Sequence, residues 1–425
     1  PMACKCKFCT AGRLSASAPS TAQVSIDSDC RSSGLNCESF TKIVAPSGAE
    51  GIYAAAPPRL LQIRTLVVDA ARQTSTGSGF LVSADGLAIT HDQYSYTASA
   101  TGLNSMLPAL NFAARAISRS GLAPVHSCFR IAHGRVTGFD GILAMSAPLN
   151  LSFDAAPAAV PFTKAIAACE GPLTIVQDSP SKITVKSGGF RASVPCLPVD
   201  KIPTVRPEGN FVALTGILDA FRALKPFIST DDQSDREWCR GVLLSGASAL
   251  ATNNVSLVEH WLGSVNFPKI NVPVDMVDEM IRTKDEPTKF QISPTSITAH
   301  YNDGRWIRSQ LCDLTWPDLG KVMSEAWEKA TLTTIDPALK EACAKLGKFA
   351  AVLTYFRGQD VATERQEAKD GIAAVSVVAP GSGCYHTRHL LEMLKAADTA
   401  DFGAYPRPVP FVGGMMRGVI CGVRE

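Results

Sequence analysis

The sequence predicts a mainly β region followed by a mixed α/β domain, on three observations. From Leu60 onward short β-like runs recur, among them LLQIRTLVVDA, SGFLVS, FRIAHGRVTGF, LTIVQ, KITVKSGGF, FVALTGI and RGVLLSG. Turn signals separate the runs, including Asp85-Gly86, Gly188-Gly189 and Asn253-Asn254, and that spacing favours antiparallel pairs in a sandwich or barrel. After about Ile270 the pattern changes to helical periodicity, in DLGKVMSEAWEKA and in PALKEACAKLGKFAAVLTYF.

Taken in order, residues 1–58 are rich in Ser, Ala, Gly, Cys and Pro without sustained periodicity, and read as an irregular arm. The β region spans 59–268, interrupted by an Ala- and Leu-rich helix over Leu103 to Ser118. In the mixed domain, 269–425, Asp313 or Thr315 would cap a helix with Pro317 near its start. Asp336 and Pro337 have the order of an N-cap and first-turn proline. A third helix would run through HTRHLLEMLKAAD, and no internal repeat is visible.

Composition narrows the function classes. Lys plus Arg number 41 and Asp plus Glu 39, a formal charge of +2, so no broad field favours a polyanion and nucleic acid is not the expected main partner. Charged residues make up only 19% against a usual ~25%, which favours protein contacts and oligomeric assembly. Thirteen dispersed cysteines argue against a secreted disulfide framework. With neither a long apolar span nor a signal-peptide layout, the chain reads as intracellular.

Three segments carry candidate chemistry. Ser75-Thr-Gly-Ser-Gly-Phe-Leu-Val-Ser-Ala-Asp-Gly-Leu-Ala-Ile-Thr90 reads as strand, tight turn, strand, and is followed by His91-Asp92-Gln93. Gly138-Phe-Asp-Gly-Ile-Leu-Ala-Met145 places Asp140 before a small apolar strand; without further context it is a turn entering a strand. Leu244 to Ser264 contains Ser245-Gly246, the Asn253-Asn254 turn and His260-Trp-Leu-Gly263.

In this order the segments resemble the catalytic hairpins of chymotrypsin-like serine proteases, particularly viral 3C-like and plant-virus members. The resemblance implies a double β-barrel over about 60–268, with His91 as general base, Asp140 orienting it and Ser245 as nucleophile. His260 and Gly263 would line the substrate pocket; a His on an amphipathic strand is otherwise an ordinary half-buried residue. The sequence also departs from the family. Ungapped, the base position falls on Gln93, and Leu243-Leu244-Ser245-Gly246 replaces Gly-x-Ser-Gly. The nearest glycine, Gly241, needs a longer loop, and the Gly246-Ala247-Ser248 register loses the following glycine. Losing one oxyanion donor costs ~3–4 kcal/mol of barrier. The expectation is therefore a viral protease-fold protein, a serine endopeptidase if active, with weak or lost activity and a role in protein assembly. It would reside in the host cytoplasm or the virion. The rival expectation is a capsid or capsid-decorating subunit without catalysis.

Two further clusters stand apart. Cys4-x-Cys6-x-x-Cys9 with Cys30 and Cys37 supplies soft ligands for a tetrahedral zinc, or else an arm of thiols activated by Lys5 and Lys7. Gly381-Ser-Gly-Cys-Tyr-His-Thr-Arg-His389 sets His386 and His389 three positions apart beside Cys384 at a helix entry, fit for an anion, a metal or a plain capped helix. No cofactor is expected.

Overall fold

The structure, a computed structural model, describes residues 60–424 except 69–71, 82–87, 99, 119–122, 150, 152, 214–215, 232–235, 264, 313–315, 350 and 366–371. Side chains are described from Met106 onward. The chain divides into two compact units, one ending at Val205 and the other starting at Arg206.

In the first unit β1 (Leu60–Val68), β2 (Arg72–Leu81) and β3 (Ala88–Ala98) form an antiparallel meander. Helix α1 (Ala100–Ala114) follows, then the ladder β4 (Arg130–Ala132), β5 (Arg135–Phe139) and β6 (Leu143–Pro148). Next come β7 (Ala156–Pro157), α2 (Ala159–Ala167), β8 (Leu173–Ser179), β9 (Lys182–Ser187) and β10 (Phe190–Leu197). The larger sheet has the order β1-β2-β3-β8-β9-β10-β7. Both helices pack side by side over a core that includes Leu110, Phe129, Ile131, Met145, Phe162, Ile166 and Leu173. Helix α1 crosses β5 so closely that a Cβ on Gly138 would lie 2.1 Å from the Ala113 carbonyl oxygen; only glycine fits there.

The second unit begins with β11 (Asn210–Val212), α3 (Ile217–Leu224), β12 (Gly241–Gly246), β13 (Ser248–Thr252) and β14 (Ser256–Trp261). It continues with β15 (Phe267–Pro273), α4 (Val274–Thr283), β16 (Lys289–Ile292), β17 (Ser296–His300) and β18 (Trp306–Gln310). After α5 (Gly320–Trp327) come β19 (Thr333–Thr334), α6 (Pro337–Lys348), β20 (Leu353–Arg357), β21 (Asp360–Ala362) and β22 (Ala374–Ser376). The chain then forms β23 (Ser382–His386), α7 (Thr387–Ala396), β24 (Thr399–Ala400), β25 (Val409–Gly413) and β26 (Met416–Ile420). An eight-stranded sheet runs β15-β12-β13-β14-β26-β25-β24-β19 and a four-stranded one β22-β21-β20-β23. Strands β11, β16, β17 and β18 are successive antiparallel neighbours.

Among the described residues one order, strand–helix–three strands, recurs six times. It opens on β3, β7, β11, β15, β19 and β23 and takes in every helix but α5. The helices of successive copies pack in pairs: α1 with α2, α3 with α4, and α6 with α7. Each buries one stripe. Helix α3 buries Ile217, Leu218, Phe221 and Leu224, and α7 buries Leu390, Met393 and Leu394. This is the amphipathic pattern that seats a helix on a sheet.

The expected double β-barrel is thereby corrected. Helices α1, α2 and α3 stand among the strands of 59–268, and FVALTGI, expected as a strand, yields only β11 before Ile217 starts a helix. The break expected after residue 268 falls inside β15. Asp336 does cap α6, accepting from Ala338 N at 2.8 Å with Pro337 in the first turn, but the helix stops at Lys348 and the rest of its apolar string becomes β20.

Candidate functional site

The residues expected to be catalytic are engaged as follows. Asp140 closes the β5–β6 turn, its Oδ1 accepting from the amides of Ile142 at 2.9 Å and Leu143 at 2.8 Å. His91 sits on β3 opposite Ser78, in the first unit. Ser245 is the penultimate residue of β12 in the second unit, opposite Ser248. His260 pairs with Ala249, itself opposite Leu244. Directly paired residues share a face and neighbours along a strand alternate, so Ser245 and His260 project from opposite faces of one sheet. His260 is half-buried, burial lowers its pKa, and its Nδ1 is buried without a hydrogen-bond partner. Gly263 lies just past β14 with φ +82°.

Cys4, Cys6, Cys9 and Cys30 lie outside the described residues. Among those described, no group of three or more His, Cys, Asp or Glu could hold a metal ion. At the entry to α7, the His386 and His389 rings stand edge to face at 6.1 Å and Cys384 is buried. Asn253 Oδ1 accepts from the amides of Val255 and Ser256, which points its Nδ2 at His389 Nδ1, 3.0 Å away. His389 Nδ1 therefore accepts, and the ring is held neutral rather than coordinating.

Two surfaces remain that could meet a partner. The first is the outer side of the α6/α7 pair. Gly347 brings the pair into close contact: a Cβ there would come within 2.6 Å of Leu391 Cδ1. Charge separates this pair from the others. Lys340, Lys345, Lys348, Arg388 and Lys395 against Glu341 and Glu392 give 5 − 2 = +3, whereas α3 and α4 carry Arg222 and Arg282 against Asp219, Asp275, Asp278 and Glu279, 2 − 4 = −2. Lys345, Lys348 and Arg388 are exposed. The +2 of the whole chain thus hides a basic helical face.

The second surface lies on the eight-stranded sheet. There α5 covers Leu243, Leu257 and Val419 with Trp316 and Met323. At the end of that cover Trp261, Trp327, Val412, Met415 and Met416 enclose a hollow of about 370 Å³. Arg417 Nε donates to Glu259 Oε2 at 2.7 Å, and Glu259 also accepts from Ser248. Trp261 and Met415 are 55% and 51% exposed, a side-chain chemistry common at protein interfaces. Neither surface has a local signal in the sequence: the lysines sit at ordinary helical spacing, and the apolar hollow joins β14 to β26, far apart in the chain.

No protein-family model and no curated protein matches the chain. Solved structures do. The Caulobacter crescentus beta sliding clamp aligns with a TM-score of 0.65 at 18% identity, over 78% of this chain and 100% of that one. The Pseudomonas aeruginosa DnaN sliding clamp, DNA polymerase III subunit beta, solved bound to griselimycin, gives 0.63 at 16% identity over 78% and 99%. The Bacillus subtilis DNA polymerase sliding clamp gives 0.63 at 13% over 78% and 99%. The fold is that of the sliding clamps. This overturns the chymotrypsin-like resemblance and, with it, the viral protease-fold and capsid expectations. The catalytic and pocket roles expected of His91, Asp140, Ser245, His260 and Gly263 were implied by that resemblance alone.

Proposed function

We propose that this chain is a DNA polymerase processivity factor, a sliding clamp that tethers a polymerase to duplex DNA. The observation that carries the reading is the extent of the match: 78% of this chain accounts for 99–100% of the bacterial clamps. The likeness is therefore to a whole clamp and not to one module. Nucleic acid, set aside on net charge, returns as a principal partner. A protein closed around DNA is retained by topology, so it needs few phosphate contacts. Affinity through counterion release, by contrast, grows with every phosphate neutralised and is lost as salt rises. A near-neutral chain with a modest basic helical face suits that task. Closure would be made by copies of the chain, and the polymerase would be the protein partner.

The test is retention on DNA of different topology. The protein is loaded onto nicked circular duplex, the complex is isolated by gel filtration, and half is linearised. Retention on circles with rapid loss from linear DNA, together with longer products per binding event from the cognate polymerase, is the expected result. Equal retention on both forms, or no effect on product length, would refute the reading.

A further inference from the structure

A cleft of about 590 Å³ lies in the second unit, walled by β15, β18 and Trp316, within the size range of small-ligand sites. Its chemistry is unbalanced. Arg308 has a side chain only 12% exposed, and the carboxylate it pairs with among the described residues, Glu208, is 59% exposed and reached from Nη2 at 3.4 Å. A well-made guanidinium–carboxylate bond is ~2.7–2.9 Å, and Arg308 Nε is buried with no partner. Lys269 adds a second cation; no Asp or Glu is among the described residues that line the cleft, and Glu237 and Asp275 come near it only at Cys312. One more lining residue holds an orphaned buried donor: Trp316, 3% exposed, leaves Nε1 unmatched. Native interiors leave few such atoms, and each calls for an explanation. Leu243, paired with Asn271 and so on the same face as Lys269, supplies an apolar wall.

We propose that this cleft binds a carboxylate carried on an apolar body, with Arg308 and Lys269 holding the carboxylate and Trp316 and Leu243 packing against the body. A single guanidinium fork matches one planar carboxylate, and a nucleoside phosphate would leave the apolar wall facing a polar sugar. The carboxylate has two possible carriers, a free small acid or the C-terminal end of an apolar peptide. The site uses none of the residues named for DNA, so it stands apart from the clamp reading.

The full chain is titrated by calorimetry with 2-naphthoate, with its neutral isostere 2-naphthamide, and with an acetylated peptide ending in Ile-Phe as the free acid or the amide. The Trp316 indole resonance, assigned with Trp316→Phe, reports occupancy. At least one acid binds with a Kd of about 1 mM or tighter, its amide binds at least tenfold more weakly, and the Trp316 signal shifts. Binding of naphthoate alone identifies a small acid, and binding of the peptide acid identifies a chain end. Arg308→Gln weakens the acid about tenfold. Should that variant fail to fold, the exposed Lys269→Gln weakens it about threefold, while Arg407→Gln leaves it unchanged. Equal affinity for acid and amide, no saturable binding of either acid, or full binding by a folded Arg308→Gln or Lys269→Gln overturns the proposal.

Discussion

Gly347 of α6 lies against Leu391 of α7, and a Cβ there would stand 2.6 Å from Leu391 Cδ1 and 3.8 Å from Thr387 Cγ2, so any larger residue must push the Leu391 side chain aside. Gly347→Val should destabilise the second unit by about 1–3 kcal/mol through overpacking, read as a lower Tm. Leu391→Ala in the same chain should recover part of the loss; a wild-type Tm for Gly347→Val would show that the helices sit farther apart.

The basic face makes an electrostatic prediction. Replacing Lys345, Lys348 and Arg388 together by Glu should weaken binding to short linear duplex, which measures contact without topology. The slope of log K against log salt should flatten by roughly 0.9 for each phosphate contact removed. Fluorescence anisotropy across a salt series measures both. An unchanged slope would move the DNA-facing surface elsewhere.

Asp140 distinguishes a turn residue from a catalytic one. Asn keeps the acceptor for the Ile142 and Leu143 amides and Ala removes it. Asp140→Asn should melt close to wild type, while Asp140→Ala should lose about 0.5–1.5 kcal/mol per hydrogen bond forfeited. Equal losses in the two variants would mean that the charge, not the turn, matters.

His389 provides a pH dependence. Burial lowers its pKa, Arg388 and His386 push the same way, and Glu392 opposes them. The folded state therefore resists the proton that the unfolded chain takes up near about pH 6.5. Below that value the unfolded state binds more protons, so this contribution is complete above the unfolded pKa and declines as pH falls through it. His260, also depressed by burial, acts in the same direction. The Tm should drop between about pH 7.5 and 5.5, and His389→Gln should show a smaller drop. An identical pH profile in the variant would remove His389 from the account.

The legibility of the chain was uneven for physical reasons. The helix at Asp336-Pro337 was readable because its capping signals are local, and α1 and α7 because their apolar stripes are long enough to show the period. Helices α2 and α3 were not. With 9 and 8 residues, both nearly wholly apolar on the buried side, they look like β runs to any short window. The sixfold recurrence was invisible because what recurs is a ladder of backbone hydrogen bonds and one buried stripe, which many side chains satisfy. The hairpins around Thr90, Asp140 and Ser245 exist as hairpins; strand–turn–strand segments with Gly and Asp in the turn are common to many β folds, so they could not single out one. The surfaces proposed for DNA and for the carboxylate each join separate elements and had no local signal.

Strand β14 has its ladder partner β26 about 155 residues downstream. During synthesis the row of backbone amides and carbonyls along Ser256–Trp261 stays open on that side until β26 leaves the ribosome, roughly 10–30 s later at ordinary elongation rates. Premature termination anywhere in between would release a chain with a bare sheet edge flanked by Trp261, a template for aggregation. Production of this protein should therefore depend on holdase chaperones more than its finished fold suggests.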